Sequence, residues 1–130
     1  MDDESAIRTL ITTWHVATRQ GDLAAILPLM DEDVVFLAAG RPPMRGREEF
    51  AGSFQSVLEH ARIDTRGTIH EVRVSGDLAY CWTDLTVLAT PRSGTPVRRS
   101  GPALTVLRRN PDGAWVVLRD ANLLVSDEQG

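Results

Sequence analysis

Residues 68–90, TIHEVRVSGDLAYCWTDLTVLAT, decide the fold, because two runs rich in β-branched and aromatic residues flank the turn signal Ser75-Gly76-Asp77. Two further runs follow at 97–109 and 114–124, after the turn chemistry of Ser93-Gly94-Thr95 and Asn110-Pro111-Asp112-Gly113. Runs joined this closely pair antiparallel, so the C-terminal half reads as a four-stranded meander. The N-terminal half has a different period. Ile7, Leu10, Ile11, Trp14 and Ala17 recur at helical spacing between Ser5 and Gln20, with Asp2 and Asp3 at the positive end of the helix dipole and Gly21 as the stop. Asp22 can cap a short second helix through Leu23, Ile26 and Leu27, which Pro28 limits. Val34-Val35-Phe36-Leu37 reads as a buried strand broken by Gly40 to Pro43, and a third helix after Gly46 aligns Phe50, Phe54, Val57 or Leu58, and Ala61. Three helices interrupted by one short strand and followed by a meander predict an α+β layer, with the helices covering one face of a strongly curved, mostly antiparallel sheet. The helices cannot entirely fill the concave side of such a sheet, and a ligand cavity is expected at its open end.

The chain has 130 residues, the size of a single domain spanning 1–130. With 42% hydrophobic residues, 25% charged residues and a net charge of -4, its composition is that of a globular chain and disfavours binding to bulk polyanions. All 14 cationic side chains are arginine, which excludes a Schiff-base lysine, a P-loop lysine and a lysine general base. Cys81 is the only cysteine, so an intramolecular disulfide, a CxxC redox pair and a thiolate-rich zinc site are excluded too. The start Met-Asp-Asp-Glu lacks the cationic and apolar segments of a secretory signal, and no apolar run approaches the ~20 residues that span a bilayer. A cytoplasmic location without membrane contact is the expectation.

Three local signatures recur in a recognisable order: Gly21-Asp22-Leu23-Ala24-Ala25-Ile26 after the first helix, Gly40-Arg41-Pro42-Pro43-Met44-Arg45-Gly46-Arg47-Glu48 before the third, and Asp112-Gly113-Ala114-Trp115 before the last strand. Over nearly its whole length the chain resembles the NTF2-like superfamily, in its SnoaL-like and ketosteroid-isomerase-like branch. The closing run Leu118-Arg119-Asp120-Ala121-Asn122-Leu123 is similar to the small bacterial proteins labelled SgcJ/EcaC. The resemblance implies a cone-shaped fold, a deep pocket and a homodimer. It also tests the isomerase chemistry: the general-base aspartate falls on Ala38, the oxyanion-donor tyrosine on Trp14, the supporting tyrosine on Phe54 and the second acid donor on Thr105. Alanine accepts no proton, and an indole is a weaker donor to an enolate than a phenol, so steroid isomerisation is not expected here. The pocket shape can outlast the chemistry.

Matched to the family, Trp14 points into the cavity, although its place on the core stripe reads equally as a packing residue; Phe54 has the same two readings, with packing favoured. In Leu78 to Asp84 the two-residue period puts Tyr80, Trp82 and Asp84 on one face, which the match places inward. In the last strand it places Val116, Leu118, Asp120 and Asn122 inward. Asp120 is then an acid in an apolar hollow: the general acid/base if its pKa is raised, a structural group if it pairs with arginine. His15 is expected to turn about 100° away from Trp14 and leave the cavity. His60 and His70 lack metal-ligand spacing, and Asp31-Glu32-Asp33 reads as a solvated turn. Arg41, Arg45, Arg47, Arg98, Arg99, Arg108 and Arg109 can each hold an anion, but surface and dimer ion pairs fit them better, and no aromatic is interleaved with them as in a nucleic-acid platform.

The expected protein is therefore a cofactor-independent and metal-independent cone binding a mainly apolar small molecule. Its expected lining is Trp14, Met44, Phe54, Trp82, Asp84, Thr105, Leu118 and Asn122 around a catalytic Asp120. If it is an enzyme, isomerisation, cyclisation, dehydration or hydrolysis by one carboxylate is the economical class. The other reading is a non-catalytic ligand-binding or dimerisation module. Trp115 and Val117 are expected on an uncovered sheet face, which predicts a homodimer through the sheet.

Overall fold

The computed structural model describes residues 2–127. Helix α1 (Asp3–Gln20) starts where Asp2 accepts the Ser5 amide at 2.7 Å and ends at Gly21, whose φ of 67° only glycine adopts without strain. Asp22 caps α2 (Leu23–Ile26), and Pro28 turns the chain through a 3-10 segment, Leu27–Leu29, as its missing amide requires. Strands β1 (Met30–Ala38) and β2 (Met44–Arg45) form a hairpin around Gly40. Helix α3 (Gly46–His60) opens with the Glu49 carboxylate accepting the Arg45 amide at 2.8 Å, which satisfies a free donor at its start. It runs straight into β3 (Ala61–Ser75), so Ala61 begins a strand instead of ending the helix. The meander continues through β4 (Leu78–Pro91), β5 (Val97–Arg109) and β6 (Trp115–Asn122), and a short β7 (Val125–Ser126) lies beside β5.

Sheet order is β2-β1-β6-β5-β4-β3, antiparallel throughout except for the β1–β6 pair. The three helices pack on one side of this curved sheet, as the hydrophobic periods required. Ile7, Ile26, Met30, Val34 and Leu107 are fully buried where helices meet sheet, each worth ~1.5–3 kcal/mol of apolar burial. No described helix is long and apolar enough to cross a membrane.

Two register shifts set the faces. Between Ile69 and Glu71 the pairing with Thr83 and Trp82 leaves His70 as an extra residue, and between Val106 and Leu107 the pairing with Arg119 and Val117 leaves Leu118 as another. Each bulge reverses which residues of its strand face inward. In β6, Trp115 and Val117 are buried in the core, with 7% and 2% of their surface exposed, so the sequence-based placement of these two on an uncovered face is corrected.

Arginine holds the frame together. Arg109 forks onto Asp3 at 3.0 Å through both terminal nitrogens, reaches Asp77 at 3.2 Å and lies 4.5 Å over the Trp115 ring, tying α1 to two strands and the turn at 76–77. Arg47 donates twice to the Met30 carbonyl, at 3.0 and 2.7 Å. Asp31 is not a solvated turn residue: it is buried in β1 and accepts Arg108 at 2.6–2.7 Å and the Asp33 amide at 2.8 Å. Burial alone would raise its pKa, but the Asp33 amide and the Arg108 guanidinium outweigh it and hold the carboxyl below 3.8. A lowered folded-state pKa gives stability that is present at neutral pH and lost as pH falls through the folded value. Arg108→Met, which leaves Asp31 buried without its cation, is expected to cost about 2–3 kcal/mol at pH 7 by denaturant unfolding. The gap from wild type narrows as pH falls towards the folded-state value of Asp31, where the carboxyl becomes neutral.

Candidate functional site

Between α1, α3 and the concave face of the sheet lies a cavity of about 370 Å³, within the range of small-molecule sites. One wall is aromatic. Trp14 from α1 packs against Phe36 (6.0 Å) and Phe50 (5.7 Å), and Phe50 stacks on Phe54 (5.6 Å), an arrangement that rings 5–6 Å apart favour. Met44 and Val57 complete that side, and Ile63, Leu85, Val87 and Val117 form the sheet side. The polar lining comprises the hydroxyls of Thr18, Ser53, Thr65, Thr83 and Thr105 with His15, Asp120 and Asn122.

Asp120 owes its place to the Leu118 bulge. Val117 and Asp120 both line the cavity although they are three residues apart, an impossible pair in a regular strand. Thr105 on β5, in register with Asp120, donates its hydroxyl to Asp120 Oδ1 at 2.7 Å, and no guanidinium contacts the carboxyl among the described residues. Burial raises the Asp120 pKa, and the Thr105 hydroxyl offsets only part of that. Asn122, one inward position along, accepts weakly from the Leu124 amide at 3.4 Å and has no described protein partner for its own amide hydrogens. Ala38 lies in register with Asn122 on the neighbouring strand.

The structure thus brings together Trp14, Met44, Phe54, Thr105, Asp120 and Asn122 and leaves out three expected residues. Leu118 is the bulged residue itself, displaced from the lining. Trp82 and Asp84 face the other side of the sheet, because Ala79, Cys81 and Thr83 are the buried set in β4 and Leu85 and Val87 continue their parity into the cavity. On the outer face His70 stacks on Trp82 at 4.3 Å and bonds Asp84 Oδ2 at 2.7 Å. Cys81 is fully buried, and desolvation raises its thiol to about 11, so it is a packing residue with no thiolate at neutral pH.

His15, expected to leave the cavity, lines it. The ring sits over Gly67 and beside Leu85: a Cβ on Gly67 would lie 3.0 Å from His15 Cε1 and 2.7 Å from Leu85 Cδ2. The usable signal was that glycine inside a strand-like run, which marks a close approach. Desolvation, helped by Arg19, lowers the His15 pKa and keeps the imidazole neutral at pH 7. Of the arginines thought able to hold an anion, none lines this cavity; Arg47, Arg108 and Arg109 bind the frame, and Arg98 pairs with Asp127.

A SnoaL-like domain model matches residues 9–118. Among solved structures, a conserved protein from Planctomyces limnophilus DSM 3776 is 39% identical, with a TM-score of 0.91 over 95% of this chain and 97% of that one. A ketosteroid isomerase-like protein from Erwinia carotovora atroseptica SCRI1043 is 25% identical, with a TM-score of 0.81 over 97% of this chain and 99% of the other. A Streptomyces avermitilis protein of the NTF2-like family, proposed to be a dehydratase, shares the fold at 24% identity and a TM-score of 0.80 over 95% and 97% of the two chains. No curated protein matches. The domain match over most of the chain, the cone architecture and the full-length structural likenesses agree: this protein belongs to the SnoaL-like family of the NTF2-like, ketosteroid isomerase-like superfamily.

Proposed function

We propose that this protein binds a mainly apolar small molecule in its cone and moves a proton on it with Asp120, as a cofactor-independent isomerase, cyclase, dehydratase or hydrolase of the cytoplasm. One observation carries the reading: a carboxyl group on the wall of an aromatic cavity, held by a hydroxyl and not by a guanidinium. A carboxylate locked to arginine would be a poor proton carrier, whereas one desolvated beside Thr105 exchanges its proton nearer neutral pH. Thr105 fixes Oδ1 and orients the group, and Asn122 supplies an amide to position a substrate oxygen or a water. The isomerase-like and dehydratase names of the structural neighbours fit, since both reactions begin with proton transfer. Within the family, the run Leu118–Leu123 supports a place near the SgcJ/EcaC proteins. A non-catalytic binding module is the second reading, favoured by Ala38 and Trp14 standing where the isomerase has its base and phenol donor.

The two readings separate on a surrogate. Exchange of the α-protons of β-tetralone into D2O, followed by NMR, is expected to be faster with wild type than with Asp120→Asn by about 100-fold or more, the usual contribution of a positioned acid/base. Equal rates, with β-tetralone bound by both proteins, would sink the catalytic reading and leave the binding module.

Stability gives an independent test. Asp120 has a raised folded-state pKa, so the folded protein holds this proton more tightly than the unfolded chain, and stability falls as pH climbs from 3.8 through the folded value. Asparagine removes that liability while keeping an acceptor for Thr105. Asp120→Asn is therefore expected to melt a few degrees above wild type at pH 7, with the gap closing below pH 4. A lower melting point at pH 7 would show that the carboxylate is a structural asset.

We infer also that two copies pair through the outer sheet face. Trp82, Leu104, Ala121 and Leu37 form a row of cross-strand neighbours there, with Trp82, Leu104 and Leu37 exposed. Both signs of charge border it, in Glu71, Arg73, Asp84 and Arg119, as a self-complementary two-fold contact needs. Light scattering at micromolar concentration is expected to give a dimer for wild type and a monomer for Leu104→Glu. A monomeric wild type would contradict the pairing.

A further inference from the structure

His15 belongs to two concavities at once: the apolar cavity, and an open groove that it shares with Thr12, Arg19, Arg66 and Gly67. The groove lies open on the far side of the His15 ring, and we take it as the cavity's mouth. Pairing fixes how far along the strands this mouth lies from Asp120, which stands three strands away across the sheet. Asp120 is in register with Thr105 and Thr105 with Cys81, whereas Gly67, under the His15 ring, is in register with Leu85. Four residues along β4 separate the two levels, about 13 Å at the usual strand rise.

The mouth carries unspent cationic donors. Arg19 gives one terminal nitrogen to the Thr65 carbonyl at 2.8 Å, which fixes its guanidinium at the rim. Arg66 is extended into solvent, with its side chain 80% exposed, and touches Asp64 only through Nε, at 3.4 Å. Among the described residues Asp64 is the carboxylate paired with both; its Oδ1 is buried, lies 4.0 Å from Arg19 Nε and accepts no hydrogen bond. Two guanidinium groups against one carboxylate leave an excess of one positive charge. One terminal nitrogen of Arg19 and both of Arg66 donate to no protein group among the described residues.

We propose that this mouth is an anion subsite, in which Arg19 and Arg66 beside His15 take the carboxylate of a ligand whose apolar body fills the cavity down to Asp120. This rests on reading the cavity as a binding site and narrows its ligand class to an amphipathic organic acid: a ring system about as long as the cavity, with an acidic side chain at the solvent end. Guanidinium is suited to the task, because its planar fork meets a carboxylate through two parallel hydrogen bonds. Gly67 has a matching role, since any side chain there would push the His15 ring out of the wall shared by the two concavities.

Naphthylacetate and its uncharged methyl ester share an apolar body and differ in the anion, so calorimetric titration of both isolates the mouth. Without a cationic subsite the ester binds better, because the acid must shed water from its charge. With one, wild type is expected to bind the acid about tenfold more tightly than the ester, the effect of one charge-assisted hydrogen bond. Arg66→Glu, at a solvent-exposed position, should abolish that preference while leaving the ester's affinity unchanged, and Arg19→Gln should reduce it. Wild type binding the ester as tightly as the acid, or a preference that survives Arg66→Glu, overturns the subsite and leaves the cavity reading standing. Failure of both probes to bind overturns the cavity reading and the subsite with it.

Discussion

A single extra residue in the last strand governs the rest of this structure. Leu118 opposes no partner of its own on β5, so β6 changes parity at that point: Trp115 and Val117 face the helices below it, and Asp120 and Asn122 face the cavity above it. A regular strand that buried Trp115 and Val117 would instead turn Arg119 and Ala121 inward. Arg119 would then put a permanent cation in the hollow. The bulge sends it outward, where Nη1 donates to the Asp33 carbonyl at 2.9 Å, and admits an acid with no cation beside it.

The same device recurs in β3, and together the two bulges explain what could and could not be read from the chain. Helices, caps and turns were legible because each rests on local chemistry: Asp2 and Asp3 at the positive end of a helix dipole, Asp22 as a cap, Gly21 as a stop, Pro28 as a limit. The parity of long strands was not, since one unpaired residue reverses it and leaves no mark in the alternation of apolar and polar residues. In β4 the larger aromatics, Tyr80 and Trp82, were the natural choice for an interior. Ala79, Cys81 and Thr83 lie inside, where Ala79 and Cys81 share a cluster with Ile7 and Leu10, and small residues suit a sheet face that helices approach closely.

Within the site, positions anchored by helix phase or by the hairpin before α3 were readable: Trp14, Met44 and Phe54 all reach the cavity. Asp120, Asn122 and Thr105 line the cavity although the alternation expected for β6 fails at Leu118, because the extra residue restores the expected parity beyond it. His15 shows the opposite case. Helix phase turned it from Trp14, but the cavity wraps around the C-terminal end of α1, and a strand glycine clears room for the ring there.

The absence of lysine gains meaning from where the arginines are spent. Arg47, Arg108, Arg109 and Arg119 each clamp carbonyls or carboxylates of the frame, a task for which a planar fork is better shaped than an ammonium. Their pairing away from the cavity leaves Asp120 in an apolar surround, and desolvation with no compensating cation is what raises its pKa. Had one of these guanidinium groups faced Asp120, Coulomb attraction would have held the carboxyl ionised, and the cone would contain a salt bridge where it now contains a desolvated carboxyl with no cation beside it. The raised pKa of the acid thus depends on ion pairs that never touch it, because they hold the paired guanidinium groups outside the cavity.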